Sequence, residues 1–366
     1  MKRFILSPCG TSLLTNQAGK NDRKLVFKYA NEKHKEDIPL PERKRLKALI
    51  DRAQKSLFQD DNYERASKMS AELNGIIKIY GGKIDSKSDF HLLLSTDTWL
   101  GEETARIVRK WLEQHGLCVD VHRQVDLQTK DIEAFQIALS DLVKKLSDEI
   151  PSYSQKGYTI IFNLTGGFKS VQGFLQSISN FYADETVYIF ETSSELLRIP
   201  KLPVRMDAKS VIQDQLDVFR KLALGIPVPA TALKDIPETL LLKINGTISL
   251  SPWGELMWEQ YKQEIYGEGL LPPPVNRIRY SDSFKKSVQD LPVDRMLLIN
   301  RRIDRLAQYV LTGHNPKSLD FKQIKGKAAL PSTHEINAWS DKDARRIFGH
   351  FENDVFVLDR LDKGLH

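Results

Sequence analysis

The segment around Gly166-Gly167 constrains the fold more strongly than any other part of the sequence. Residues 158–162 read Tyr-Thr-Ile-Ile-Phe, and such a run of β-branched and aromatic side chains predicts a buried strand. A polar turn that contains the two glycines follows. Beyond it, apolar residues recur at the spacing of one helix face, namely Val171, Phe174 and Ile178. The sequence therefore predicts a strand, a turn and a helix, with the useful chemistry in the turn.

This turn has the composition of an anion-binding site. In an open α/β sheet, ligands bind outside the carboxyl ends of the strands, where a helix N-terminus offers free N–H groups and partial positive charge. Asn163, Thr165 and Ser170 add short polar side chains, Gly166-Gly167 let a ligand approach the backbone, and Lys169 can reach a phosphate. A tight turn with Thr165 as the helix cap is the alternative interpretation. The glycine spacing of a P-loop or of a dinucleotide-binding motif is absent.

Two earlier strands end in polar turns of the same kind. The strand that begins at Lys2 leads into residues 7–12 (Ser-Pro-Cys-Gly-Thr-Ser), and the strand at 90–94 leads into residues 95–98 (Ser-Thr-Asp-Thr). Helical patterns separate these strands, among them Glu103 to His115 and Asp131 to Leu146, and a further apolar strand follows at 185–191. This alternation predicts an α/β fold with a mostly parallel, doubly wound sheet.

Length and composition narrow the class of protein. The chain has 366 residues, of which 41% are hydrophobic and 28% charged, and this length suits two or three globular domains. It contains no run of about 18 apolar residues, and its first residues lead into a strand. We therefore expect a cytoplasmic protein without a membrane segment. With Cys9 and Cys118 as the two cysteines, neither a disulfide framework nor a cysteine zinc site is expected.

The alternation of strands and helices ends near Pro200. Residues 207–270 contain a helical stretch from Val211 to Leu224, then two short apolar runs joined by Asn245-Gly246, and then Ser251-Pro252 at the start of another helix. Asn-Gly between apolar runs predicts a hairpin, and Ser followed by Pro predicts a helix start. The order helix, hairpin, helix resembles a winged-helix module, which serves as a connector and dimer contact or, alternatively, binds DNA.

A segment rich in Gly and Pro, residues 267–274, is the clearest predicted linker. After it the pattern predicts a short strand at 276–280, two helical stretches and then successive antiparallel strands. Residues 272–366 contain 17 Lys and Arg against 12 Asp and Glu, so they carry +5 of the net charge of +6. We expect this small α+β unit, which has a basic sheet, to bind nucleic acid.

The first half resembles the CARF domain, the cyclic-oligoadenylate sensor of CRISPR systems. The resemblance spans about residues 1–200 and lies in the turns at 7–12 and 95–98 and above all in Asn163-Leu-Thr-Gly-Gly-Phe-Lys169. It implies a Rossmann-like homodimer with a cyclic oligoadenylate across its interface. Cyclic tetra-adenylate is favoured because a two-fold site matches an even ring. The implied ligand contacts are Cys9, Gly10, Thr11, Ser12, Thr96, Asp97, Asn163, Thr165, Gly166, Gly167, Phe168, Lys169 and Ser170.

The last part of the chain resembles the RelE family of toxin ribonucleases. The matching elements are the segment 321–327, the strand His334-Glu-Ile and the strand Arg345-Arg-Ile-Phe. The resemblance implies an endoribonuclease that needs no metal and cleaves mRNA on the ribosome. Together the two halves resemble the CRISPR-associated mRNA interferases of CARF–RelE architecture.

The implied reaction sets the kinds of side chain required. The RNA 2′-OH loses a proton and attacks the adjacent phosphorus, and the 5′-oxygen is protonated while negative charge builds on the phosphate. Lys and Arg stabilise that charge, and His moves protons near neutral pH. Glu335 is the alternative base if His334 does not act, and the terminal His366 is another proton carrier. Because Arg345 and Arg346 alternate on a strand, one of them at most faces the site. The candidate catalytic residues are Lys325, Lys327, His334, Arg345, Arg346 and His350.

The expected organisation is a CARF sensor at 1–205, a winged-helix-like connector at 206–271 and a RelE-like ribonuclease at 272–366. The expected activator is cyclic tetra-adenylate, and no catalytic cofactor or metal is expected. Two alternatives stay open. The spacing Arg345-x4-His350 fits HEPN nucleases, although those domains are helical. A ligand-responsive transcription regulator would instead bind duplex DNA through residues 207–270.

Overall fold

The computed structural model describes residues 2–60, 62–85, 88–190, 195–203, 208–244, 246–324 and 331–364. The chain divides into two compact units, Met1–Arg205 and Met206–His366. The segments 206–271 and 272–366, predicted as separate domains, both belong to the second unit, so a three-domain division stays a prediction. Four residues used in the sequence analysis lie outside the described residues: Asn245, Lys325, Lys327 and His366.

A parallel sheet organises the first unit. Its described strands are β1 (Lys2–Cys9), β2 (Phe90–Ser95), β3 (Cys118–Arg123), β4 (Tyr158–Asn163), β5 (Glu185–Tyr188) and β6 (Leu197–Pro200). They are ordered β3-β2-β1-β4-β5-β6, and every neighbouring pair is parallel except β5 and β6. The strand order reverses at β1. The crevice between the ends of β1 and β4 is therefore the switch point at which doubly wound sheets bind ligands.

Helices cover both faces of this sheet. They are α1 (Ser12–Thr15), α2 (Lys20–Lys28), α3 (Leu40–Leu57), α4 (Tyr63–Met69), α5 (Ala71–Ile79), α6 (Trp99–Gln114), α7 (Ile132–Gln155) and α8 (Lys169–Tyr182). Successive side chains of a strand point to opposite faces. Phe4 accordingly contacts Phe90 and Tyr153 of α7, whereas Ile5 packs with Ile79 of α5. Burial on both faces explains why the central strands β1, β2 and β4 are largely apolar runs.

The structure confirms the predicted alternation of strands and helices and corrects several bounds. Helix α6 begins at Trp99 and not at Glu103, because the Thr98 side chain accepts a hydrogen bond from the Gly101 N–H at 3.1 Å and caps the helix. Helix α7 continues to Gln155 and includes a proline. The short, mostly exposed strand β6 was not predicted, because a run of four residues that ends in Pro is too short for a clear alternation.

The second unit combines helices, a hairpin and a second sheet. Its described elements are α9 (Lys209–Asp214), α10 (Leu216–Ala223), β7 (Leu241–Ile244), β8 (Thr247–Leu250), α11 (Pro252–Glu268), β9 (Ile278–Tyr280), α12 (Asp282–Val288), α13 (Val293–Thr312), β10 (Lys322–Gln323), β11 (His334–Trp339), β12 (Arg345–Glu352) and β13 (Val355–Lys363). The predicted single helix from Val211 is broken at Gln215, whose φ of −115° and ψ of 29° are not helical. The hairpin β7–β8 and the Ser251 cap of α11 are as predicted. A winged-helix identity stays a proposal.

The second sheet has one apolar face and one charged face. Its described strands are ordered β10-β11-β12-β13-β9, antiparallel except for the parallel pair β13 and β9. Ile336, Ile347 and Phe356 pack with Ile299 and Ile303 of α13 on the helix-covered face. The alternate residues define the opposite face, here called the charged face: Lys322, Glu335, Arg346, Phe348, His350 and Arg360.

Buried side chains fix the segment that the sequence predicts as a linker. Asn300 of α13 accepts a hydrogen bond from the Leu271 N–H at 3.0 Å, and Arg220 of α10 donates to the Pro272 carbonyl at 2.5 Å. The Arg220 Nε also lies 2.7 Å from Asp304 Oδ1. The connector and helix α13 are therefore joined by a buried polar network, and the segment between them is not a free linker.

Candidate ligand site and candidate nucleic-acid face

The turns that follow β1 and β4 meet at the switch point of the first sheet. They are called here the β1 turn (residues 10–12) and the β4 turn (residues 164–168). A Cβ added to Gly10 would lie 3.3 Å from the Gly167 Cα, and a Cβ added to Gly167 would lie 2.8 Å from the Pro8 Cβ. Gly167 also has a φ of 97°, a conformation that residues with a side chain rarely adopt. The two predicted polar turns thus come together. A glycine is needed at position 167 because a side chain there would collide with Pro8 and because the backbone has a positive φ.

A buried carboxylate lies beneath these turns. Glu72, in the first turn of α5, is only 1% exposed. Its Oε1 accepts from the Gly10 N–H at 2.9 Å, and its Oε2 accepts from the hydroxyls of Ser12 at 2.5 Å and Ser70 at 2.7 Å. The Gly10 N–H and the Ser12 hydroxyl, predicted to contact an anionic ligand, are therefore already bonded to an internal anion.

Asn163, another predicted ligand contact, is fully buried. Its Nδ2 donates to Ser7 Oγ at 3.1 Å and to the Glu72 carbonyl at 3.2 Å, and its Oδ1 accepts from the Thr165 N–H at 3.4 Å. The Thr165 hydroxyl oxygen is buried and has no hydrogen-bond partner among the residues that the structure describes. The side chains of Asn163 and Thr165 therefore point into the protein beneath the β4 turn and help to fix its conformation.

The start of α8 forms the outer part of the site. Lys169 and Ser170 are exposed, and Phe168 and Gly167 are half-buried. Within the described part of the chain, no side chain caps the N-terminus of α8. Its N–H groups and partial positive charge therefore favour an anion. With the half-buried Thr11 of the β1 turn, these residues are the predicted contacts that a ligand can reach.

Asp97, at the end of β2, is buried and bonded to its own unit. Its carboxylate accepts from Arg123 Nε and Lys33 Nζ, both at 2.9 Å, and from the Asp126 N–H at 3.0 Å. Burial raises the pKa of Asp97, but the hydrogen bonds from Asp126, Lys33 and Arg123 outweigh burial and hold the pKa below its ordinary value. The predicted ligand contact is thus a structural carboxylate.

We expect Asp97→Asn to lower the free energy of unfolding by about 1 to 3 kcal/mol, because Arg123 and Lys33 lose a charged acceptor. Since folding depresses the pKa of Asp97, its contribution is present above the unfolded pKa of about 3.9 and is lost as the pH falls through the folded-state value. Urea unfolding at pH 7 and pH 3 checks this. A difference between wild type and variant that is the same at both pH values would contradict the assignment.

Thr96 lies beside α8 in a small pocket. The pocket has a volume of only about 10 Å³, and it brings the β2 turn next to Phe168 and Ser170. Its other lining residues are Asn31, Leu127, Gln128, Thr129, Phe135 and Val171. Cys9, by contrast, is buried in the core, and burial together with the nearby Glu72 raises the pKa of its thiol. Cys9 is therefore an inert core residue and not an accessible contact.

On the charged face of the second sheet, Arg346 lies between two carboxylates. Its Nη1 donates to Asp320 Oδ2 at 2.6 Å, and its Nε is 4.0 Å from Glu335 Oε1. Glu335 is 9% exposed and also lies 3.3 Å from Lys322 Nζ. This arrangement places a cation suited to phosphate next to a carboxylate that can accept a proton.

His350 forms a pair with Asp359 on the same face. Its Nδ1 is 2.9 Å from Asp359 Oδ2, which also accepts from the Ser332 hydroxyl at 2.8 Å. Its Nε2 is 3.3 Å from Oε1 of the exposed Glu352. The hydrogen bond to Asp359, with a further contribution from Glu352, raises the pKa of His350 above its ordinary value. A raised pKa favours a protonated imidazole near neutral pH, which is the form that a general acid needs.

The structure places two other predicted catalytic side chains away from this cluster. His334 stacks on Phe321 on the helix-covered face, with 5.1 Å between ring centroids, and burial lowers its pKa. Arg345 bonds to Asp343 at 3.2 Å and lines a pocket beside Trp339. Of the predicted catalytic set, Arg346 and His350 share the charged face, and Lys325 and Lys327 lie outside the described residues.

The strand β12 also bears on the HEPN alternative. Arg345 and His350 belong to one strand and lie on its opposite faces, because their positions differ by five and side chains alternate along a strand. HEPN domains are helical, whereas both of these residues lie on a strand. The geometry therefore argues against that alternative.

Two residues of these sites carried no recognisable sequence signal. Glu72 lies in a charged helical stretch without a motif, and only the helix cap Ser70 two residues earlier marks its position. Asp359 is the extra residue of a bulge in β13, because Phe348 pairs with Arg360 while Gly349 pairs with Leu358. Strict alternation along the sequence would not have placed Asp359 next to His350.

No group of three or more His, Cys, Asp or Glu side chains in the described ranges is arranged to hold a metal ion. No helix in the part of the chain that the structure describes has the length and apolarity needed to cross a membrane.

Comparison with known proteins gives a match to part of the first unit. Residues 67–202 match a family described as CRISPR-associated protein (Cas_APE2256). No curated protein matches the chain. A solved structure, Enterococcus italicus Csm6 bound to cyclic hexa-2′-fluoro-hexa-dAMP, is 12% identical, and the match covers 85% of this chain and 62% of that chain with a TM-score of 0.30. That TM-score is too low to establish a shared fold. The region from 67 to 202, which includes Glu72 and the β4 turn, is thus similar to a CRISPR-associated family.

Proposed function

We propose that the chain is a cyclic-oligoadenylate-activated, metal-independent endoribonuclease of type III CRISPR defence. In this proposal the first unit is a CARF-type sensor that dimerises and binds cyclic tetra-adenylate. Residues 206–271 connect it to a RelE-like domain, 272–366, which cleaves mRNA on the ribosome. The observation that carries the proposal is the match to a CRISPR-associated family in a chain whose second sheet places Arg346, Glu335 and the His350–Asp359 pair on one face.

The outer part of the first site supports an anionic ligand of this kind. The uncapped N-terminus of α8, the exposed Lys169 and the close-fitting Gly167 offer backbone N–H groups and a cation at the switch point of a doubly wound sheet. Phe168 adds an aromatic edge beside the small pocket that Thr96 lines. Phosphates would bind at the helix start, and a base would contact Phe168.

For the reaction we assign the base to Glu335 and the acid to His350. Glu335 pairs with Phe348, two residues before His350, so the two groups are diagonal neighbours on one face, with Cα atoms about 7 to 8 Å apart. Glu335 removes the proton of the 2′-OH. The 2′-oxygen then forms its bond to phosphorus as the bond from phosphorus to the 5′-oxygen breaks, and His350 donates its proton to that oxygen. The products are a 2′,3′-cyclic phosphate and a free 5′-OH.

Arg346 and Arg360 stabilise the charge that builds on the phosphate. Arg360 lies over the Phe348 ring, with 4.9 Å from its guanidinium carbon to the ring centroid, and donates to Ser332 Oγ at 3.4 Å. Asp359 accepts from His350 Nδ1 and holds the ring so that Nε2 carries the mobile proton.

The proposed function is tested with mRNA-loaded ribosomes, with and without cyclic tetra-adenylate, by mapping the ends of the cleaved mRNA. The expected result is cleavage that requires both the ligand and the ribosome and that leaves 2′,3′-cyclic phosphate ends. Cleavage of free RNA at the same rate would remove the ribosome from the proposal. Tight ligand binding without any cleavage would favour the transcription regulator, whose binding element would be the hairpin β7–β8 with α11.

Asp359→Asn gives a prediction on pH dependence. The charge of Asp359 raises the pKa of His350, so the asparagine variant lowers that pKa. A general acid works only while protonated, and the cleavage rate declines as the pH rises through its pKa. We therefore expect the basic limb of the pH–rate profile to move to lower pH in Asp359→Asn, with the acidic limb unchanged. A uniform loss of rate at all pH values would contradict the role of Asp359.

A further inference from the structure

We infer that Glu72 is a positioning residue that holds the β1 turn and the β4 turn together in the arrangement that binds the ligand. The inference rests on the proposed function for the identity of the ligand. The arrangement of the turns does not depend on the proposed function, because the hydrogen bonds of Glu72 define it.

Glu72 touches both turns. Its carboxylate accepts from the Gly10 N–H and the Ser12 hydroxyl of the β1 turn. On the other side, the backbone of Gly166 lies so close that an added Cβ would be 2.5 Å from Glu72 Cδ. The Glu72 carbonyl also accepts from Asn163 Nδ2 at 3.2 Å. One residue of α5 therefore bridges the two turns that meet at the switch point.

The bonds of Glu72 also explain why the β1 turn has its shape. A backbone N–H followed by a hydroxyl after a strand is a donor set that can bind a phosphate. Here the internal carboxylate occupies these donors from below and is 1% exposed, so a ligand cannot reach them while the turns stay in contact. Phosphate recognition is left to the outer groups, at Lys169 and the start of α8.

The matched variants are Glu72→Ala, Glu72→Gln and, as a control, Glu64→Ala on α4, whose carboxylate is exposed and bonds only to Lys68 among the described residues. We measure binding of cyclic tetra-adenylate by calorimetry, after checking the fold by circular dichroism. We expect at least tenfold weaker binding for Glu72→Ala and substantial rescue in Glu72→Gln, because the amide oxygen still accepts from Gly10 and the serine hydroxyls can reverse direction. Glu64→Ala should bind like wild type.

Tighter binding in either Glu72 variant would overturn the inference, because it would make Glu72 a competitor of the ligand. Unchanged binding in folded Glu72→Ala would overturn it as well. If wild type does not bind cyclic tetra-adenylate, the proposed ligand fails, and hydrogen exchange then tests Glu72 alone. In Glu72→Ala we expect faster exchange of the amides at Gly10 and Gly166 with α7 unchanged, and exchange equal to wild type in both turns would refute the positioning role.

Discussion

Arg346→Ala should lower ligand-activated RNA cleavage by about a hundredfold or more, which is the usual effect of removing one group that stabilises transition-state charge. Arg346 is the cation on the charged face that lies next to Glu335, at 4.0 Å. Its replacement leaves the fold intact because it is partly exposed and bonds to the surface carboxylate of Asp320. The measurement is the single-turnover cleavage rate with saturating cyclic tetra-adenylate. Ligand binding to the first unit should not change.

Arg345→Ala is the matched control for this variant. The two arginines are adjacent and similarly exposed, but Arg345 lies on the opposite face and pairs with Asp343 at 3.2 Å. An exposed pair of this kind contributes little to stability, about 0 to 1 kcal/mol. We expect the rate of Arg345→Ala to stay within about threefold of wild type. A large loss in Arg345→Ala with a small loss in Arg346→Ala would move the active site to the helix-covered face and contradict our assignment.

The fold of the first unit was predictable because apolar residues are spaced differently along its strands and along its helices. Strands buried on both faces are apolar runs such as Tyr158–Asn163, and helices show a 3.6-residue period, so both signals are local. The short edge strand Leu197–Pro200 and the break at Gln215 depend on neighbours that the local pattern does not contain. Bounds were least predictable where a cap decides them, as Thr98 does for α6.

The candidate sites were predictable as regions but not as sets of contacts. Polar residues after strands identify the turns, because the ends of parallel strands share one edge. Whether a side chain such as Ser12 faces the ligand or the interior depends on what lies beneath it, and Glu72 is 60 positions away in sequence. In the second unit, strand alternation separates Arg345 from Arg346, but it cannot say which face is covered by α13 until the sheet and helices are packed. At Asp359 the bulge also interrupts the alternation of side chains along β13, so the pattern does not predict which face this residue occupies.

The buried network in the second unit leads to the other large expected effect. Arg220 is 3% exposed and bonds to Asp304 at 2.7 Å, and Asp304 also accepts from the Tyr266 hydroxyl. Asp304→Ala would leave the guanidinium of Arg220 buried without its counter-charge. Breaking a buried pair in this way costs about 3 to 5 kcal/mol. We expect a loss of this size in the free energy of unfolding of the second unit, measured by urea denaturation of the full chain.

Two further variants test the physical reason for this loss. Glu264→Ala removes an exposed partner of Lys209, with 54% of its side chain accessible, and should leave the free energy of unfolding close to that of wild type. The double variant Arg220→Met with Asp304→Leu removes both charges together and should recover most of the stability that Asp304→Ala loses, because no buried charge is left unpaired. If the double variant is as unstable as Asp304→Ala, the loss arises from packing around α10 and α13 and not from an uncompensated charge. If stability recovers but cyclic tetra-adenylate no longer activates the double variant, the pair is needed for activation as well as for stability.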